Sequence, residues 1–154
     1  MLLIWVIGYI VILKNSIFNA KVKMTNTVFP KHGNIQTDID RNLVKLNIIG
    51  PCNLEFIQDM EEQMIALRPQ LDLANYAGLI VLHGEALATP EALNYFTNYL
   101  KTVKAKAVAL CVKSTFNPSI TQKVLTKAYG EAGINHKFFE DEELAVSWLR
   151  HCIK

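Results

Sequence analysis

The sequence predicts one α/β domain in the order ββαβαβαβα, a mixed, mostly parallel sheet covered by helices. Three observations predict it. Short apolar runs at Leu43–Ile49, Leu79–Leu82, Ala107–Val112 and Lys137–Phe139 alternate with helical stretches of amphipathic period. The two middle runs are continuously apolar, as in strands covered on both faces. Each helical stretch also opens on a capping signal: Asn53, Thr89-Pro90, Asn117-Pro118 or Asp141.

Each element has its own justification. Ile35, Thr37 and Ile39 alternate with polar neighbours from Asn34 onward, and Asp40-Arg41-Asn42 turns the chain into Leu43–Ile49. These two segments read as an antiparallel hairpin, stopped by Gly50-Pro51. Asn53 caps a helix whose apolar positions Leu54, Ile57, Met60, Met64, Leu67 and Leu71 recur at three and four residues. Pro69 ends that helix near Arg68. After the Gly78–Leu82 strand, Leu93, Phe96, Leu100 and Val103 form the buried stripe of the next helix. After Ala107–Val112, the stripe is Ile120, Val124, Leu125 and Ala128, closed by Gly133 in the left-handed position. Ile134–Phe139 is the last strand. Asp141 caps the closing helix, Glu142 and Glu143 suit its dipole, and Leu144, Ala145, Trp148, Leu149 and Cys152 are expected to face inward.

A chain of 154 residues is long enough to bury a core, with about 70% of the unfolded surface removed from water. Three cysteines (Cys52, Cys111, Cys152) with no CxxC spacing argue against a disulfide framework and for a reducing compartment. The formal charge of +2 arises at the N-terminus. Lys14, Lys21 and Lys23 precede Met24 and no acid does, so the chain from Met24 onward carries 13 bases against 14 acids, a net charge of −1. With neither a basic stripe nor an aromatic platform, nucleic acid is not an expected partner.

Residues 1–23 form a separate hydrophobic segment, ahead of a domain at 33–152. The apolar run Leu2–Leu13 is shorter than the roughly 20 residues of a bilayer span. It also lacks the leading basic stretch and the cleavage site of a secretory signal. Three readings compete. Met24 is the true start and the upstream stretch a translated leader; or the run is a short membrane or interfacial anchor, helped by Trp5, Tyr9 and the trailing lysines; or it adds an element to the domain.

In an open α/β sheet, ligands bind beyond the carboxyl ends of the strands. Four turns are expected there: Gly50–Asn53, His83–Glu85, Ser114–Asn117 and Glu140-Asp141. The candidate binding residues are therefore Cys52, Asn53, His83, Glu85, Thr89, Ser114, Thr115 and Asn117. Cys52 before a helix start and His83 at a strand end pose a thiol-enzyme reading, since a helix N-terminus and an imidazolium both lower a thiol pKa. Ser114, Thr115 and Lys113 near the Asn117 cap suit a carboxylate or phosphate. His32, His83, His136 and His151 have no metal-ligand spacing, and glycine-rich nucleotide signatures are missing, so neither metal nor cofactor is expected.

The closing strand and helix read Phe138-Phe139-Glu140-Asp141-Glu142-Glu143-Leu144-Ala145-Val146-Ser147-Trp148-Leu149. With this ending and this order of elements, the chain resembles the STAS fold, named after sulfate transporters and anti-sigma-factor antagonists. More narrowly it resembles the compact SpoIIAA-like bacterial proteins, over about Gly33 to Cys152. The resemblance implies a non-catalytic regulatory or protein-interaction module in the bacterial cytoplasm. Anti-sigma antagonists carry a phosphorylatable serine in an Asp-Ser-Ser/Ala-Gly motif at the helix after the third strand. Here the stretch is Leu82-His83-Gly84-Glu85-Ala86-Leu87-Ala88-Thr89-Pro90, without Asp-Ser-Ser. Thr89 occupies a similar place, as an N-cap or, alternatively, a phosphosite.

Three functions are therefore expected, in descending order. The first is a module binding an unidentified protein through Glu85–Thr89 and Ser114–Asn117. The second is a carrier of a small anionic or lipid ligand at the same edge. The third is a thiol enzyme using Cys52 and His83. Membrane association depends on residues 1–23, and the hairpin's edge strand makes a homodimer plausible.

Overall fold

The computed structural model describes residues 29–154, so the three readings of residues 1–23 lie outside the described residues. The chain forms β1 (Asn34–Asp40), β2 (Leu43–Ile49), α1 (Leu54–Leu67), a 3₁₀ turn (Arg68–Gln70), β3 (Ala77–Gly84), α2 (Pro90–Leu100), β4 (Val108–Thr115), α3 (Pro118–Glu131), β5 (His136–Phe138) and α4 (Glu142–Cys152). The expected ββαβαβαβα order is therefore observed. The sheet runs β1-β2-β3-β4-β5; β1 is antiparallel to β2, and every later neighbour is parallel.

Side chains alternate across the sheet, so β2 divides its residues between two cores. Val44, Leu46 and Ile48 join Phe56, Ile57 and Met60 of α1 on the face that α2 and α3 also cover. Leu43 belongs to the opposite face, where Leu79, Val81, Ala109 and Cys111 pack beneath Ala145 and Leu149 of α4. Among the described residues, one short helix, α4, covers that second face. Lys45 reaches it through an ion pair with Glu142 at 2.6 Å, and Arg150 through its bond to Asp40.

Several boundaries and stripes differ from expectation, each for a physical reason. β1 continues to Asp40, which pairs with Leu43, so the turn is the two residues Arg41-Asn42, with Arg41 in the left-handed region. β3 takes in His83 and Gly84, and β4 takes in Ser114 and Thr115, because their backbones continue the ladder past a bulge between Val81 and His83. Pairing with β4 reaches only from His136 to Phe138, which shortens β5. In α3 the buried residues are Thr121, Ala128 and Tyr129; Ile120 is 53% exposed, and Val124 is also exposed. The Thr121 hydroxyl donates to the Asn117 carbonyl at 3.0 Å, which lets a threonine occupy the inward stripe. In α4 the stripe centres on Ala145 and Leu149, leaving Leu144, about 100° around the helix, 64% exposed.

Candidate functional site at the carboxyl edge of the sheet

The turns after β2 and β3 are bound to each other. Cys52 donates its N–H to the Leu87 carbonyl at 2.8 Å and accepts from the Thr89 N–H at 3.3 Å, making a short parallel bridge with Ala88. Gly50 permits this approach: a Cβ there would stand 1.9 Å from the Glu85 carbonyl oxygen.

Asn53 is committed to structure. Its Oδ1 accepts from the N–H groups of Phe56 and His32 at 3.2 and 2.9 Å, and its Nδ2 donates to the Pro30 carbonyl and the Glu55 carboxylate. One side chain thus caps α1 and fastens the incoming chain to this edge. Lys31 adds an ion pair to Asp59 at 2.8 Å, which lowers the Asp59 pKa from its ordinary value. Thr89 caps α2 by accepting from the Ala92 N–H at 3.2 Å.

Cys52 and His83 do not form a reacting pair. Cys52 is 8% exposed and packs with Ile48 and Phe56 on the α1 face, whereas His83 is in register with Ile49 and Ser114, in the row that faces the α4 side. Burial pushes the Cys52 thiol up to about 11, the reverse of the activation that nucleophilic chemistry needs.

The Ser114–Asn117 group also separates. Ser114 is exposed, but Thr115 is buried with its hydroxyl donating to the Val112 carbonyl at 2.7 Å. Lys113 faces Glu140 rather than the start of α3. Asn117 occupies the N-cap position without a side-chain cap bond, its dihedrals lying outside the extended region usual for a cap. Glu85 is exposed, and its contact with the turn after β2 is made by its backbone.

Between α1, α2, α3 and the Ala86–Ala88 segment lies an apolar cavity of about 130 Å³. Its walls include Cys52, Phe56, Leu82, Phe96, Leu125 and Tyr129, and it reaches the surface where Leu87 and Val124 are exposed. Of the expected site residues, only Cys52 lines it. The rest was missed because most wall residues look like ordinary core in sequence; the available signal was Leu87, a large apolar residue in a loop that is normally polar.

A crystal structure of an uncharacterised protein from the DUF3478 family with a SpoIIAA-like fold, from Shewanella loihica PV-4, matches this fold. The TM-score is 0.54 and the identity 17%, over 79% of this chain and 96% of that chain. No protein-family model matches the sequence, and no curated protein matches it. The domain has a SpoIIAA-like α/β fold, in agreement with the resemblance in its closing strand and helix.

Proposed function

We propose that this domain is a non-catalytic binding module that holds the apolar part of a small ligand in the cavity at the carboxyl edge. The cavity itself carries the reading: apolar walls at the edge where α/β sheets bind ligands. Its volume limits the ligand. A void of about 130 Å³ is comparable to one that takes up a benzene-sized molecule, so a ring or the end of an alkyl chain fits and a whole lipid does not. The remainder would leave past Leu87 and Val124, and the start of α3 at Pro118, almost two turns before Val124, would favour an anionic head group that reaches back to it.

The test is thermal unfolding of the full chain with a series of alkyl carboxylates from four to about twelve carbons. Saturating a ligand at about 100 times its Kd adds about 2.7 kcal/mol of stability. Stabilisation is expected to rise with chain length and to vanish in Leu125→Trp, which fills the cavity. No stabilisation across the series, or an equal effect in the filled variant, overturns the reading.

A second reading, a protein partner, is favoured by one observation: Ser114 is exposed in register with His83 and exposed Ile49. Partner binding lost on Ser114→Asp or Thr89→Asp would support it. Binding unchanged in both would remove this surface.

A further inference from the structure

We propose that the carboxyl edge docks on the surface of a lipid bilayer, with the cavity mouth turned toward the membrane; this rests on the apolar-ligand reading above. Among the described residues, every exposed large apolar side chain except Ile65 and Leu73 lies at this edge, in a strand end, a loop or the first two turns of a helix. Phe116 is 76% exposed, and Ile120 and Val124 follow at four-residue intervals. Phe116 and Ile49 both flank Gly84. Leu87 and Val124 belong both to this apolar surface and to the cavity wall, so ligand site and surface are continuous.

Two further observations select a bilayer as the occupant. Residues 1–28 join the domain here, because Phe29 is followed by Pro30 and His32, both held by Asn53. The sequence of that segment combines uncharged Leu2–Leu13, containing Trp5 and Tyr9, with Lys14, Lys21 and Lys23 and no acid before Met24. Such a composition partitions into the interface between head groups and acyl chains. The edge itself carries Glu85, Glu140, Asp141 and Glu143 beside Lys113 and Lys123, so attraction by apolar insertion rather than by charge is expected of the domain.

The experiment is co-sedimentation of the full 154-residue chain with phosphatidylcholine vesicles, with and without phosphatidylglycerol. The chain is expected to bind both kinds, and Phe116→Asp combined with Ile120→Asp to weaken binding by about tenfold or more. Ile65→Asp with Leu73→Asp is expected to change nothing. Absence of vesicle binding overturns the proposal, as does undiminished binding of the Phe116/Ile120 variant, which would assign membrane affinity to residues 1–28 alone. A wild-type dimer that this variant converts to monomer would assign the surface to a second copy and also overturn it. Should the variant misfold, hydrogen exchange on the wild type decides: slower exchange at 85–88 and 116–120 upon vesicle addition is expected, and unchanged exchange overturns the proposal. The alkyl-carboxylate series reads the cavity separately, so Leu125→Trp should abolish ligand stabilisation while leaving vesicle binding intact.

Discussion

At the scale of single residues, the carboxyl edge is occupied by structural duties. Thr89 shows this directly, since its oxygen accepts the Ala92 N–H. Thr89→Ala is expected to cost about 1 kcal/mol in chemical denaturation, whereas Thr89→Asp should retain nearly full stability because aspartate is an equally good cap and suits the helix dipole. Cys52 gives a pH signature. Its thiol ionises near 9.0 in the unfolded chain and near 11 in the folded one, so the folded state keeps a proton that the unfolded state loses. Its contribution is fully present below pH 9 and is lost as pH rises through about 11, amounting to roughly 2 kcal/mol. Unfolding titrations between pH 8 and 11 should show this loss, and Cys52→Ala should remove its first part; Tyr99, pushed up to about 12 by burial, continues the decline above pH 10. The same burial should make Cys52 alkylate more slowly than a free-thiol reference at neutral pH.

At the scale of elements, which residues of a helix face the sheet decides their energetic weight. In α4, Leu149 is fully buried beneath β3 and β4 while Leu144, five residues earlier, is exposed. Leu149→Ala should therefore cost about 2–5 kcal/mol and Leu144→Ala less than about 0.5 kcal/mol, measured by the denaturant midpoint. Periodicity identified the helix but not its rotation, because Leu144 and Ala145 fit almost equally well on one apolar stripe. The same ambiguity concealed Thr121 and Tyr129 in α3, and it hid Phe56, which is fully buried between the Leu54 and Ile57 of the expected stripe. The strands β3 and β4 were more legible, since the continuous apolar runs Leu79–Leu82 and Val108–Val112 have no phase to mistake.

At the scale of the whole molecule, the edge works as a coupled unit. Gly50 lets the turn after β2 touch the turn after β3, and that contact positions Ala86–Ala88 over the cavity. Gly50→Ala is expected to lower stability by roughly 2 kcal/mol or more, since the obstructing atom is backbone. It should also weaken alkyl-carboxylate stabilisation, and equal ligand response in the variant would show that the two turns are not coupled. Surface ion pairs should matter far less: Lys45–Glu142 joins α4 to β2 at a partly exposed site worth less than about 1 kcal/mol.

The sequence by itself determined the order of elements, the hairpin, the caps Asn53, Thr89 and Asp141 and the left-handed Gly133, because each rests on local backbone chemistry within a few residues. It also located the carboxyl edge, which follows from strand direction. Only the tertiary structure decided what that edge contains. It separated Cys52 from His83 by placing them on opposite faces, buried the Thr115 hydroxyl and left Asn117 without a capping bond. It also assembled a cavity from residues as distant as Cys52 and Tyr129. A cavity is a property of helices that meet imperfectly above a sheet, and no local pattern of residues encodes the space left between them.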